Sequence, residues 1–127
     1  MSTASALRIL VVDDDPIQLR VAVRVLRELG CAGALANRGE TALELLDKQA
    51  FDAVLLDLRM PGLSGLETLA RLRAKHPTLP VVFISGDDLG ANWAFYEKAG
   101  ANGYLTKPLD MEAFSALLGR QLRLAPS

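Results

Sequence analysis

The chain has 127 residues, of which 50% are hydrophobic and 23% are charged, with a formal net charge of −1. This length fits one domain with a proper core, and the near-neutral charge does not indicate direct binding to nucleic acid or to an anionic membrane. No apolar stretch approaches the roughly 20 residues that span a bilayer, residues 1–6 do not resemble a secretory signal, and the single cysteine excludes an internal disulfide. We therefore expect a soluble cytoplasmic domain.

Strand and helix patterns alternate five times along the chain. An apolar strand is predicted at residues 8–12, followed by a helix at 16–29 whose apolar residues recur at i, i+3, i+4 and i+7. Pro16 suits the first turn of this helix, and Gly30 suits the position just past its end. The other predicted strands are 31–36, 53–56, 80–84 and 103–106, and the other predicted helices are 41–49, 66–74, 90–99 and 110–122.

Strands that alternate with helices favour right-handed crossovers, because parallel neighbours cannot be joined by a tight turn. The helices then cover both faces of the sheet. The predicted fold class is α/β, a doubly wound parallel sheet of five strands with five helices.

Acidic residues follow two of the apolar strands. Asp13, Asp14 and Asp15 come directly after the first strand, and Asp57 comes directly after the third. The carboxyl ends of parallel strands meet at one edge of such a sheet, where ligands bind. Like charges held together are costly unless a cation lies among them, and carboxylates are ligands that Mg²⁺ prefers. The pattern predicts a divalent metal site, with Asp15 capping the first helix rather than binding the metal.

Ser85 and Lys107 follow the fourth and fifth strands and are predicted to join the same edge. An ammonium group and a hydroxyl supply a charge and a hydrogen bond to a tetrahedral anion. With a metal, this set suits phosphoryl transfer, which depends mostly on positioning and electrostatics. A carboxylate can be the nucleophile. Asp57 is the candidate, because it stands alone at its strand end while Asp13 and Asp14 form a pair suited to the metal.

Four strings occur in register: ILVVDDDP, DAVLLDLRMPGLSGLE, VVFISGDD and AGANGYLTKPL. Together they strongly resemble the receiver domain of two-component response regulators, of the chemotaxis-regulator-like superfamily, over residues 8–122. The resemblance implies the flavodoxin-like strand order 2-1-3-4-5. It also implies that residues 1–7 are an N-terminal tail and that residues 123–127 are a C-terminal tail or the start of a linker.

By this resemblance, Asp57 accepts a phosphoryl group from a sensor histidine kinase or a histidine phosphotransfer protein. The chain would then be a signalling phosphoacceptor that assists its own phosphotransfer and dephosphorylation, rather than an enzyme. Asp14, Asp57 and the backbone carbonyl of Arg59 would bind Mg²⁺ (or Mn²⁺) directly, and Asp13 would act through a water.

The resemblance also assigns the switch. Lys107 would pair with Asp57 and later with the phosphate. Ser85 would hydrogen-bond a phosphoryl oxygen, and Gly86 would leave room for the phosphate. Tyr104 would rotate inward behind Ser85 and carry the signal outward. The peptide bond before Pro108 would be cis.

The predicted helix 90–99 contains three aromatic residues. An apolar stripe of Ala91, Ala94, Phe95 and Ala99 would face the core, which leaves Trp93 and to a lesser extent Tyr96 toward solvent. The family uses the surface formed by the fourth helix, fifth strand and fifth helix for output. Trp93 and Tyr104 would lie on it.

Two further positions lie beside the site. Arg59 and Asp87 stand where family members vary and where residues are thought to tune the phosphoryl lifetime. Their opposite charges are expected to bridge the mouth of the site and obstruct attacking water. Ser64, which replaces an acid in the family's loop, is expected to change only a turn residue.

Other functions remain as alternatives. A small phosphatase of the haloacid dehalogenase type also ends its first strand in aspartate-x-aspartate, but it needs a late acidic pair, for which only Asp110 and Glu112 are available, and it leaves Asp57 without a role. A receiver that works unphosphorylated as a binding module is a third reading. Dinucleotide binding is disfavoured, because no glycine-rich turn follows the first strand. The sequence names neither the kinase nor the output partner, and a phosphorylation-dependent homodimer stays open.

Overall fold

The computed structural model describes residues 7–122, with side chains described up to residue 117. Residues 1–6 and 123–127, to which the sequence analysis assigned most of the predicted tails, lie outside the described residues. Leu7, which the sequence assigned to the N-terminal tail, packs against one of the two hydrophobic clusters of the core. No helix in the described part of the chain is both long enough and apolar enough to cross a bilayer.

Five parallel strands form one sheet in the order β2-β1-β3-β4-β5, which confirms the predicted order. The strands are β1 (Arg8–Val12), β2 (Ala32–Ala36), β3 (Ala53–Asp57), β4 (Val81–Ser85) and β5 (Gly103–Thr106). The helices are α1 (Pro16–Glu28), α2 (Gly39–Lys48), α3 (Gly65–Lys75), α4 (Trp93–Ala99) and α5 (Met111–Leu122), and a 3₁₀ turn at Gly90–Asn92 precedes α4.

The core consists of two clusters, one on each face of the sheet. Ile9 and Val11 of β1 point toward the cluster beneath α1 and α5, and Leu10 and Val12 point toward the cluster beneath α2 and α3. Every residue of β3 and β4 is buried. Burial on both faces explains why these strands are continuous apolar runs rather than alternating ones.

Side-chain caps set the start of two helices. Asp15 accepts a hydrogen bond from the backbone N–H of Ile17 at 2.9 Å, and Pro16 follows it in the first turn of α1. This confirms the capping role predicted for Asp15. Ser64 and Glu67 form a reciprocal capping box at the start of α3. The serine that replaces the family's acid therefore begins a helix.

The predicted inward stripe of the fourth helix is wrong. Phe95 is 61% exposed, and the three alanines of that stripe are exposed as well. Trp93 and Tyr96 instead pack against the cluster beneath α2 and α3, where Tyr96 contacts Phe83 edge-on with ring centroids 5.8 Å apart. The 3₁₀ turn winds more tightly than an α-helix and so changes which residues face inward. The observed face also buries two large rings, whereas the predicted stripe offered one ring and three alanines.

Candidate functional site

The carboxyl ends of four strands bring the predicted site residues together. Asp13 follows β1, Asp57 ends β3 and Ser85 ends β4, while Lys107 follows β5. Backbone hydrogen bonds hold these ends in register, since Leu58 N donates to Ile84 O at 3.1 Å and Lys107 N donates to Ser85 O at 2.7 Å. The sheet therefore gathers residues that are far apart in the sequence.

The Lys107 ammonium group bridges two buried carboxylates. Its Nζ lies 3.0 Å from Asp13 Oδ2 and 3.3 Å from Asp57 Oδ2. The side chains of Asp13 and Asp57 are 0% and 5% exposed, and that of Lys107 is 19% exposed. Charges are rarely buried to this extent unless they are paired, so the three groups form one electrostatic unit.

Backbone donors orient the other carboxylate oxygens. Asp15 N donates to Asp13 Oδ1 at 2.9 Å, and Arg59 N donates to Asp57 Oδ1 at 3.3 Å. Beyond its ion pair with Lys107, the buried Asp13 Oδ2 has no hydrogen-bond partner among the residues whose side chains are described.

Three carboxylates could hold a metal ion. Asp13, Asp14 and Asp57 each offer an oxygen, and these oxygens lie within 4.8 Å of one another. Asp14 is exposed, so a bound ion would keep access to solvent. A site with few protein oxygens and room for water suits Mg²⁺, which dehydrates reluctantly. The donor set therefore fits the predicted metal.

Burial and charge shift two pKa values in this unit. Burial raises the pKa of Asp57 to about 6, and the charge of Asp13 adds to the rise while Lys107 opposes it. Burial alone lowers the pKa of Lys107, but the contacts and charges of Asp13 and Asp57 outweigh that effect and raise it above its ordinary value. Lys107 is therefore a cation at neutral pH, and Asp57 is mostly ionised there.

An open cleft of about 460 Å³ lies above these groups. Ser85 is buried at its wall, where its Oγ accepts a hydrogen bond from Asp87 N at 3.1 Å. A Cβ placed on Gly86 would meet no described atom within 4 Å, so the space beside this residue is open. The cleft is lined by Asp14, Asp15, Asp57, Arg59, Ser85, Gly86, Asp87 and Lys107.

The predicted bridge across the mouth of the cleft is present. Arg59 Nη2 lies 2.7 Å from Asp87 Oδ2, and the two side chains are 82% and 63% exposed. An exposed pair of this kind contributes only about 0–1 kcal/mol to stability. The pair therefore contributes little to the stability of the fold, but it lies over the cleft.

The residues predicted for the switch and the output surface lie on β5, on α4 and in the loop after β5. The Lys107–Pro108 peptide bond is cis, as the resemblance implied. Tyr104 is partly buried, and its ring centroid is 5.3 Å from that of Trp93. Trp93 and Tyr104 are thus neighbours on the α4–β5 surface, although Trp93 is less exposed than the sequence suggested.

Sequence reasoning missed the part that Gly65 plays behind the site. A Cβ on this residue would lie 2.5 Å from the carbonyl oxygen of Asp57 and 2.7 Å from the Cα of Leu58. Real Cβ atoms do not approach backbone atoms this closely, so a side chain here would push on the strand end that carries Asp57. The available signal was a glycine in the first turn of a helix, where it has low propensity.

Comparisons with known proteins identify the family of the chain. Residues 9–118 match the family model described as the response regulator receiver domain. The chain is 40% identical over 114 residues to the transcriptional regulatory protein ZraR of Escherichia coli K12, an alignment that covers 90% of this chain and 26% of that protein. It is 37% identical to the DNA-binding transcriptional regulator NtrC of the same strain, covering 88% of this chain and 24% of that one. The chain thus spans about a quarter of the length of these relatives.

Two solved structures of similar length resemble the chain. The receiver domain of the sensor histidine kinase PA1611 from Pseudomonas aeruginosa PAO1, solved with a magnesium ion in its active-site cleft, has a TM-score of 0.84 at 29% identity, covering 94% of this chain and 99% of that one. Chemotaxis protein CheY4 of Vibrio cholerae has a TM-score of 0.84 at 25% identity, with coverage of 91% and 98%. The chain belongs to the response regulator receiver domain family of two-component signalling.

Proposed function

We propose that the chain is a phosphorylation-switched signalling module in which Asp57 accepts a phosphoryl group from a phosphohistidine. The observation that carries the proposal is the buried Asp57 carboxylate at the base of an open cleft, with the Lys107 ammonium 3.3 Å away. The donor would be a sensor histidine kinase or a histidine phosphotransfer protein. The readout would be a change of the α4–β5–α5 surface toward an output partner or domain.

The cleft residues have distinct parts in this transfer. A carboxylate oxygen of Asp57 forms the new P–O bond while the P–N bond of the phosphohistidine breaks and its electron pair stays on the imidazole nitrogen. Lys107 leaves Asp57 Oδ2 for the phosphoryl oxygens and compensates their charge. Ser85 donates a hydrogen bond from its hydroxyl group to another phosphoryl oxygen, and Gly86 leaves the space open. Fixed charges and donors of this kind stabilise the transferring group.

The metal is part of the same proposal. Asp14, Asp57 and the backbone carbonyl of Arg59 would hold Mg²⁺ (or Mn²⁺), and Asp13 would act through a water. When bound, the ion neutralises the clustered carboxylates and the phosphoryl oxygens. Among the residues whose side chains are described, Lys107 is the one cation paired with Asp13 and Asp57, which supports a need for a second cation.

The wider role follows from the chemistry of the donor. The module would take up one phosphoryl group per chain and lose it to water, rather than turn over a substrate. Ser85 and Tyr104 would form the switch, and Trp93 and Tyr104 part of the output surface. Residues 8–122 would form the receiver domain. It would act in the cytoplasm, where histidine kinases obtain their ATP. A phosphorylation-dependent homodimer is one form that output could take.

Labelling by acetyl phosphate in the presence of Mg²⁺ tests the proposal. Intact-mass spectrometry should show one phosphoryl group per chain that is lost on treatment with hydroxylamine. Asp57→Asn should abolish the label. The matched control is Asp47→Asn, because Asp47 pairs with Lys75 on the exposed surface of α2 and α3, away from the cleft.

Two outcomes would contradict the proposal. Steady turnover of a phosphomonoester would support the phosphatase alternative. A folded chain that takes no label with or without Mg²⁺ would support the reading as an unphosphorylated binding module.

A further inference from the structure

The hydroxyl group of Tyr104 occupies the place that a side chain at residue 90 would fill. A Cβ on Gly90 would lie 2.8 Å from the Tyr104 hydroxyl oxygen and 3.2 Å from Asp88 Oδ1. The φ angle of Gly90 lies outside the left-handed region, so its backbone does not require glycine. A side chain at residue 90 would therefore be opposed by the Tyr104 hydroxyl group and not by the backbone conformation.

The same turn also supplies the ring contact of Tyr104. Trp93 lies three residues after Gly90, and its ring is tilted 42° against that of Tyr104 at a centroid distance of 5.3 Å. Aromatic pairs at this separation attract each other beyond the area that they bury. Gly90 and Trp93 together form a seat for Tyr104: the missing side chain of Gly90 leaves room for the hydroxyl, and the Trp93 ring packs against the Tyr104 ring.

A run of local hydrogen bonds connects this seat to the cleft. Ser85 Oγ accepts from Asp87 N at 3.1 Å, and Asp88 Oδ1 accepts from Gly90 N at 2.9 Å. Asp87 is also tied to Arg59 at 2.7 Å. These bonds fold residues 85–87 and 88–90 into two consecutive short turns, so only this bonded segment lies between Ser85 and Gly90.

We propose that Gly90 is a positioning residue of the switch. It couples the cleft to Tyr104 through the backbone segment that joins β4 to α4. This inference rests on the proposed phosphoacceptor function and adds a route to it. When residues 85–90 shift, the seat shifts, and the Tyr104 ring and the first turn of α4 rearrange together. Tyr104 then responds to the movement of this backbone as well as to the space that Ser85 vacates when it moves toward the phosphoryl group.

Substitution by alanine is a mild probe of the seat. The atoms nearest to the added Cβ are the ends of two side chains rather than backbone, so they are able to move without disrupting the fold. Removing the Tyr104 hydroxyl with Tyr104→Phe should restore the space. A double-mutant cycle of Gly90→Ala and Tyr104→Phe therefore isolates the contact. Asn92→Ala is the matched control, since Asn92 is exposed in the same turn and its side chain makes no capping bond.

Fluorescence of Trp93, the only tryptophan of the chain, reports on the seat. Emission is recorded while Mg²⁺ and beryllofluoride, a phosphoryl mimic, are titrated into the full chain, and ¹⁹F NMR independently measures occupancy at Asp57. We expect Gly90→Ala to change the emission of the free protein. We also expect it to shift the beryllofluoride midpoint by about fivefold, which corresponds to about 1 kcal/mol. Both effects should largely disappear in the Tyr104→Phe background, and Asn92→Ala should show neither.

The outcomes separate this inference from the function on which it rests. If ¹⁹F NMR shows no beryllofluoride binding to the folded wild-type chain, the phosphoacceptor function fails. If beryllofluoride binds normally but Gly90→Ala leaves the emission and the midpoint unchanged, the inference about Gly90 is wrong. It is equally wrong if the effects of Gly90→Ala persist undiminished in the Tyr104→Phe background, because they would then arise from Asp88 or from the turn itself.

Discussion

Replacement of Asp57 by asparagine should stabilise the metal-free protein at neutral pH. Burial and the charge of Asp13 raise the pKa of Asp57 from 3.8 to about 6, despite the attraction of Lys107. The folded chain thus holds its Asp57 proton more tightly than the unfolded chain does. Stability is therefore lost as the pH rises from about 4 through about 6. Asparagine has the shape of the neutral acid and carries no charge to bury.

The size of the effect follows from the two pKa values. The difference between 3.8 and about 6 corresponds to at most about 3 kcal/mol at a pH above both values. Water reaches the site through the cleft and weakens these charge interactions, so we expect about 1–2 kcal/mol at pH 7.5. At pH 4.5 the acid is mostly protonated in the folded chain, and the advantage of asparagine should be small.

Urea denaturation of both proteins in EDTA at pH 4.5 and 7.5 measures the difference. Mg²⁺ should make the wild type the more stable of the two proteins at pH 7.5. The ion stabilises the protein that binds it, and Asp57→Asn lacks one of the proposed carboxylate ligands. Asp47→Asn, a change in an exposed ion pair, should show no comparable dependence on pH. If Asp57→Asn destabilises the metal-free protein at pH 7.5, the attraction of Lys107 outweighs desolvation and the reasoning is wrong.

Three further changes have defined outcomes. Arg59→Ala should speed phosphoryl loss by about threefold, a change of less than about 1 kcal/mol in the barrier, because it removes the bridge to Asp87 over the cleft; an unchanged decay rate of the purified phosphoprotein would rule this out. Ser64→Ala should lower the free energy of unfolding by about 1 kcal/mol, since it removes the cap on Glu67 N, whereas equal urea midpoints would show that the cap is dispensable. Phe114→Ala should cost about 3–5 kcal/mol, because this side chain is 0% exposed in the core; a loss below about 1 kcal/mol in urea titrations would mean that the core refills the cavity.

Local sequence signals predicted most of the fold because each depends on neighbouring residues. The strand that ends at Val12 and the strand that ends at Asp57 are apolar on both faces, and their structure follows from that pattern. Asp15 before Pro16 predicted the start of α1 for the same local reason. The parallel sheet then followed, because strands separated by helices have few other ways to pair.

The sequence by itself determined the alternation of strand and helix, and with it the sheet edge at which Asp13, Asp57, Ser85 and Lys107 meet. It also carried the four strings that identify the family. Only the tertiary structure decided which face of α4 is buried. That choice depends on ring contacts with Phe83 of β4 and Tyr104 of β5. Likewise, the ion pairs of Lys107 and the contact of Tyr104 with Gly90 join residues distant along the chain. Distances across a packed interior are set by how the elements dock together, and no local pattern encodes them.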